Sequence, residues 1–168
     1  MRASGVRVVV MGVAGCGKSA VARRLADVLG LPMREGDDFH PAGNVEKMKL
    51  GVPLTDDDRV EWLARLGADL AAHPEGVVLS CSALKKNYRD GLRLAAPGLA
   101  FVYLHIELAE SLRRVASRPG HFYPPSLVAS QFEALQDPTG EARVLRLDAT
   151  LPLDTLAALA GDNLFNNA

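Results

Sequence analysis

The sequence predicts an α/β fold: three α/β/α layers built on a five-stranded parallel sheet. Two observations carry the prediction. Strand-like apolar runs alternate with helix-periodic ones along the whole chain, the pattern of strands joined by crossover helices that cover both faces of a parallel sheet. The first of those runs, residues 6–11, opens directly onto Gly12-Val13-Ala14-Gly15-Cys16-Gly17-Lys18-Ser19, a Gly, four residues, then Gly-Lys-Ser. That pattern wraps polyphosphate. Small glycines let successive backbone N–H groups turn inward around an anion. Lys18 then reaches the β- and γ-phosphate oxygens, and the Ser19 hydroxyl can ligate Mg²⁺. The helix that starts there aims its positive dipole end at the same anion. A nucleoside triphosphate with Mg²⁺ is the expected ligand.

A chain of 168 residues is long enough to bury a substantial core as one domain, 1–168. Its apolar share of 48% and charged share of 23% are those of an ordinary globular protein. A formal charge of −1 gives no broad basic field for nucleic acid or an anionic membrane. No apolar run approaches the length of a membrane span, and the first strand begins too early to leave room for a leader. Cys16 and Cys81 have neither zinc spacing nor the density of a disulfide framework. A cytosolic protein is expected.

Each element follows from local signals. After the glycine-rich loop, Val21, Leu25 and Val28 or Leu29 recur at helical spacing and Gly30 supplies a stop. Strand two, residues 31–35, ends at Gly36-Asp37-Asp38-Phe39-His40-Pro41. Ligands of open α/β sheets sit outside the carboxyl ends of the strands, so Asp37 and His40 are placed to meet a substrate; the competing reading is a solvated turn. Residues 44–58 are polar and turn-rich. Thr55 with Asp56, Asp57 and Asp58 reads as a capped helix start, followed by Trp62, Leu63, Leu66 and Leu70 on one face. Arg59 at that start could fork onto a carboxylate.

Strand three, residues 77–81, runs into Ser82-Ala83-Leu84-Lys85-Lys86-Asn87-Tyr88-Arg89. Cations at a helix N-terminus oppose its dipole, so Lys85 and Arg89 point to an external anion, with a solvated helix start as the alternative. Strand four, residues 99–104, precedes a helix expected to turn Leu108, Leu112 and Val115 inward. Arg114 and Arg118 share one face of it. A Pro- and Gly-rich turn at 119–125 and a helix restarting at Ser126 suggest a lid, about 117–135, whose arginines neutralise charge on a transferred phosphoryl group; an ordinary surface excursion is the alternative. Strand five, residues 142–147, and a helix from Leu153 close the chain.

A guanine-specifying Asn-Lys-x-Asp is absent from the sequence, and both Asp-x-x-Gly matches fall away from the third strand. An insertion after strand two, about 38–60, and a lid after strand four are the layout of small-molecule and nucleoside monophosphate kinases. Here the residues reach a known family. The chain resembles gluconokinases of the phosphate-loop type along nearly its whole length. The resemblance rests on the glycine-rich loop, Gly36-Asp37-Asp38-Phe39-His40-Pro41, Asn44-Val45-Glu46-Lys47-Met48 and Pro53-Leu54-Thr55-Asp56-Asp57-Asp58-Arg59. It continues through Trp62-Leu63, Cys81-Ser82-Ala83-Leu84-Lys85-Lys86 with Tyr88-Arg89-Asp90, Gly120-His121-Phe122 and Gln131-Phe132-Glu133.

The resemblance implies ATP-dependent phosphorylation of D-gluconate at its terminal hydroxyl, giving 6-phosphogluconate, by a homodimer. It makes Asp37 the partner of the acceptor hydroxyl. His40, Arg59, Ser82, Lys85 and Arg89 become the rim for polyol and carboxylate, and Arg114, Arg118 and His121 the lid residues. The loop 12–19 and its Lys18 would bind nucleotide. Pro119 departs from the family pattern before Gly-His-Phe and stiffens that position. Ser19 is the one expected Mg²⁺ ligand, and the strand-two segment Glu35-Gly36-Asp37-Asp38 leaves open which acid assists it. A hydroxy-acid kinase of shikimate type, a nucleoside monophosphate kinase and a non-catalytic ATP-binding module are the competing readings.

Overall fold

The computed structural model describes residues 4–118 and 123–167. Five parallel strands, β1 (Val6–Met11), β2 (Met33–Glu35), β3 (Gly76–Ser80), β4 (Ala100–His105) and β5 (Val144–Asp148), lie in the order β2-β3-β1-β4-β5. Among the described residues they alternate with helices α1 (Lys18–Leu29), α2 (Ala42–Lys49), α3 (Asp56–Ala71), α4 (Lys86–Ala95), α5 (Leu108–Ala116), α6 (Pro125–Ala134) and α7 (Leu153–Asn166). The predicted α/β architecture is the observed one. Because β1 pairs with both β3 and β4, the glycine-rich loop leaves the middle of the sheet at its carboxyl end, where bound ligands collect in such sheets.

The layering follows from the two-residue period of a strand. Val8 and Val10 face a core shared with Leu25 and Leu29 of α1 and Leu156 and Leu164 of α7. Val9 and Met11 face the opposite core, with Trp62, Leu66 and Leu70 of α3, Leu92 of α4 and Phe101. A strand buried on both faces must be apolar at every position, which is why residues 6–11 read as one run broken only by Arg7. Of the two alternatives in α1, Leu29 is the buried residue and Val28 is exposed. The helix ends at Gly30 with its N–H returning to the carbonyls of Ala26 and Asp27.

Three expectations shift. Strands three and five lie at 76–80 and 144–148, displaced from 77–81 and 142–147. The polar stretch 44–58 begins inside a helix, α2, in which only Asn44 is buried. Periodicity could not announce it, because tertiary hydrogen bonds hold it in place of an apolar face. Asn44 Nδ2 donates to the Asp58 carbonyl at 2.7 Å, and Lys47 Nζ meets the Asp58 carboxylate at 2.7 Å. In α5, Leu108 is exposed and Ser111 is fully buried, because Ser111 Oγ donates to the Ala14 carbonyl at 2.6 Å.

Thr55 caps α3 as expected. Its hydroxyl accepts from Asp58 N–H, and the Asp58 carboxylate accepts from Thr55 N–H. Lys47 and the Thr55 backbone hold the Asp58 carboxyl down at about 2, so the box stays ionised and intact at neutral pH. Thr55→Ala is expected to lower stability by about 1 kcal/mol, read as a reduced urea midpoint at unchanged slope.

Candidate active site

The loop 12–17 is shaped by what lies beneath it. Gly12 has φ +150°, and a Cβ there would stand 2.7 Å from Cys16 Sγ and 3.0 Å from the Leu104 carbonyl. The first glycine is therefore fixed by close packing over a buried thiol. That burial pushes the Cys16 thiol above its ordinary value, against the pull of Lys18 and Arg114. A thiol held protonated is a poor nucleophile, and Cys16 is a packing group here. The outer carbonyls of the loop are taken by α5: Ser111 Oγ donates to Ala14, and Arg114 Nη1 donates to Gly15 at 3.3 Å. Gly12 N–H donates to the Ser82 carbonyl at 3.4 Å, tying the loop to the segment after β3.

Below the start of α1, Ser19 Oγ donates to Glu35 Oε2 at 2.7 Å and lies 3.3 Å from Ser80 Oγ. Glu35 is the last residue of β2, in register with Ser80. Of the acids the sequence leaves open beside Ser19, Glu35 is the one in contact with its hydroxyl; the signal is position, the final residue of a strand beside the loop. One step on, a Cβ at Gly36 would lie 2.3 Å from the Ser80 carbonyl. Only glycine lets the chain press onto the end of β3, and the short 3₁₀ turn Gly36–Phe39 that follows carries Asp37 over the cavity.

His40 packs behind that turn, stacked on Trp62 with ring centroids 4.4 Å apart and planes at 12°. Trp62 Nε1 donates to the Gly36 carbonyl at 2.8 Å, so the ring also pins the turn. Asn44 Nδ2 lies 3.2 Å from His40 Nδ1, and an amide NH₂ can only donate. In the neutral ring the proton then sits on Nε2, which lies 3.9 Å from Asp37 Oδ1. Burial holds His40 below its ordinary pKa, Asp37 pulling it up and Arg59 reinforcing the depression.

These groups share one cavity of about 490 Å³. The loop and the start of α1 contribute Ala14, Gly15, Lys18 and Ser19; the strand-two side contributes Glu35, Asp37 and His40; Arg59, Trp62 and Ser82 complete this part of the lining. Arg118, Tyr123 and Gln131 line it from the α5–α6 side. Tyr123 and Gln131 are additions to the expected set. Gln131 Oε1 accepts from Ala14 N–H at 2.7 Å, and its Nε2 donates to Tyr123 Oη at 2.7 Å. Lys18, Ser19, Asp37, His40, Arg59, Ser82 and Arg118 are thus brought together as the sequence suggested.

Three expected residues are placed differently, and His121 lies outside the described residues. Arg89 is fully buried and does not line the cavity. Its guanidinium is committed to a bidentate pair with Glu141 and to the carbonyls of Ala83 and Gln136, so the expectation of a carboxylate-facing rim is corrected. Lys85 stands outside the lining, paired with Asp56 at 2.8 Å. Tyr88 Oη also donates to Asp56 and accepts from Arg59 Nη1 at 3.1 Å, leaving Arg59 as the cation of that group on the cavity wall. Arg114 braces the Gly15 and Ala149 carbonyls and pairs with Glu110; it supports the loop from behind.

Several relatives of this chain are gluconokinases. The chain is 44% identical over 154 residues to the thermoresistant gluconokinase of Escherichia coli K12, covering 89% of this chain and 88% of that protein. The crystal structure of a gluconokinase from Sinorhizobium meliloti 1021 superposes with a TM-score of 0.92 at 48% identity, over 100% of this chain and 95% of that one. A shikimate kinase from Aquifex aeolicus shares the fold, with a TM-score of 0.64 at 16% identity over 96% of this chain and 98% of its own. No family model matches the chain.

Proposed function

The chain belongs to the gluconokinase family, and we propose that it phosphorylates the terminal hydroxyl of D-gluconate with ATP, giving 6-phosphogluconate and ADP. One observation supports this most directly. The loop-end residues Lys18 and Ser19 share a single cavity with a carboxylate, Asp37, and a cation, Arg59. With about 490 Å³ of space and both sets of groups on its lining, it can take a donor's phosphates and a small acid together.

In this reading the N–H groups of the loop and Lys18 hold the β- and γ-phosphates. Ser19 and Glu35 present a hydroxyl and a carboxylate, hard oxygen donors suited to Mg²⁺. When bound, the ion draws charge from the phosphate oxygens. Arg59 forks onto the gluconate carboxylate, and Ser82 and His40 Nε2 meet the polyol hydroxyls. Asp37 orients the terminal hydroxyl and takes its proton. That oxygen bonds to the γ-phosphorus as the bond from phosphorus to the bridging oxygen breaks. Arg118 offsets charge on the transferring group. The homodimer implied by the resemblance and the cytosolic setting expected from the sequence belong to the same proposal. No helix among the described residues is long and apolar enough to cross a membrane.

The test is ADP production with Mg-ATP and a panel of gluconate, other aldonates, shikimate and nucleoside monophosphates. Strong turnover with gluconate and little with the rest is expected. Turnover confined to another acid would reassign the acceptor, and ATP binding without turnover on any acceptor would overturn the kinase reading.

A further inference from the structure

Gln131 belongs to a segment that carried the family resemblance without a role, and its side chain makes two contacts that fix one another. The Ala14 N–H can only donate, so the amide atom facing it at 2.7 Å is the carbonyl Oε1. The NH₂ group must then face Tyr123, and Nε2 donates to Tyr123 Oη at 2.7 Å. A phenol that accepts there has its own proton left to give elsewhere. Among the described residues none accepts it, and Tyr123 lines the cavity that holds Asp37 and Arg59. Burial and the Asp37 carboxylate push this phenol up to about 12, so it keeps that proton throughout the working pH range.

We propose that Tyr123 is an acceptor-binding residue whose O–H is directed onto a substrate oxygen by Gln131, itself oriented by the phosphate loop. The assignment rests on the kinase reading above. It makes loop, Gln131, Tyr123 and acceptor one directed chain of hydrogen bonds, in which each donor polarises the next. The phosphate loop thereby sets the donor presented to the sugar acid. Tyr123 is then a specificity determinant: it favours acceptors with an oxygen at that place over those without one.

The experiment is steady-state kinetics of wild type, Tyr123→Phe, Gln131→Met and the double variant, varying gluconate and ATP separately. Tyr123→Phe keeps the ring and removes one donor, so the KM for gluconate should rise about 3- to 10-fold, with the KM for ATP moved less than about twofold. In the Gln131→Met background the same change should have a smaller effect, since the phenol is no longer oriented. An unmoved gluconate KM in Tyr123→Phe, or an equal rise in the ATP KM, would overturn the acceptor assignment. Full additivity would overturn the part given to Gln131. A wild-type enzyme without gluconate turnover would overturn the gluconokinase reading and this assignment together, an outcome distinct from active wild type with a flat variant.

Discussion

Asp37→Asn should lower kcat for gluconate by about 10²- to 10⁴-fold, the range for removing a positioned general base. The change is nearly isosteric, so the 3₁₀ turn stays pinned: Gly36 still presses on β3, and Trp62 still donates to the Gly36 carbonyl. What is lost is a carboxylate able to receive the hydroxyl proton. The phosphate-binding groups are untouched, and ATP-analogue affinity should stay within about twofold of wild type, since Asp37 is proposed to act on the acceptor and not on the nucleotide. A fall in kcat with unchanged nucleotide binding is the signature of a group acting in the transition state. A raised gluconate KM at unchanged kcat would make Asp37 a binding residue only. Single-turnover quench measurements separate these outcomes, because they read the chemical step without product release.

The parts of the site legible in the sequence are those whose function demands a residue type at a fixed spacing. Loop 12–19 was readable because glycine, lysine and hydroxyl must recur at set intervals to surround phosphate. The strands were readable because β1 is apolar on both faces, and Thr55 because a cap needs its partner three residues on. The rest was hidden wherever a role depends on distant chain. Glu35 matters through Ser19, Gln131 through Ala14 in a loop 117 residues away, and α2 through Asp58. Leu108 is exposed where burial was expected, and Ser111 is buried because its hydroxyl meets the loop carbonyl of Ala14. Charge patterns misled most. A basic cluster at a helix start reads the same whether its cations meet a ligand or an internal acid, and Lys85 and Arg89 both meet internal acids.

Arg89→Met should therefore cost stability before it costs recognition, by about 3 kcal/mol, the lower end of what breaking a buried ion pair does. The arginine is fully buried, and removing it leaves the Glu141 carboxylate with Arg93 alone and the carbonyls of Ala83 and Gln136 without its N–H groups. Arg89→Lys should recover only part, since an ammonium cannot hold a bidentate pair and two carbonyls at once. Arg89→Met with Glu141→Leu should be more stable than Arg89→Met alone, because no carboxylate then remains to be buried. The sign with pH is fixed as well. Arg89 first, and Arg93 after it, hold the Glu141 carboxyl below its ordinary value. That stabilisation is present above the unfolded carboxyl's pKa and is lost as pH falls toward the folded one. The acid limb of the stability curve should be shallower in Arg89→Met. Urea midpoints from pH 3 to 7 read all of this, and a loss under about 1 kcal/mol would show solvent replacing the arginine. The network also reaches the site. Arg89 Nη1 holds the carbonyl of Ala83 at 2.7 Å, and Ala83 sits at φ +47° beside Ser82 on the cavity wall. Freed of that bond, a non-glycine residue has little reason to keep a left-handed backbone. Ser82 should then lose its place, and any rise in the gluconate KM of Arg89→Met comes through Ser82.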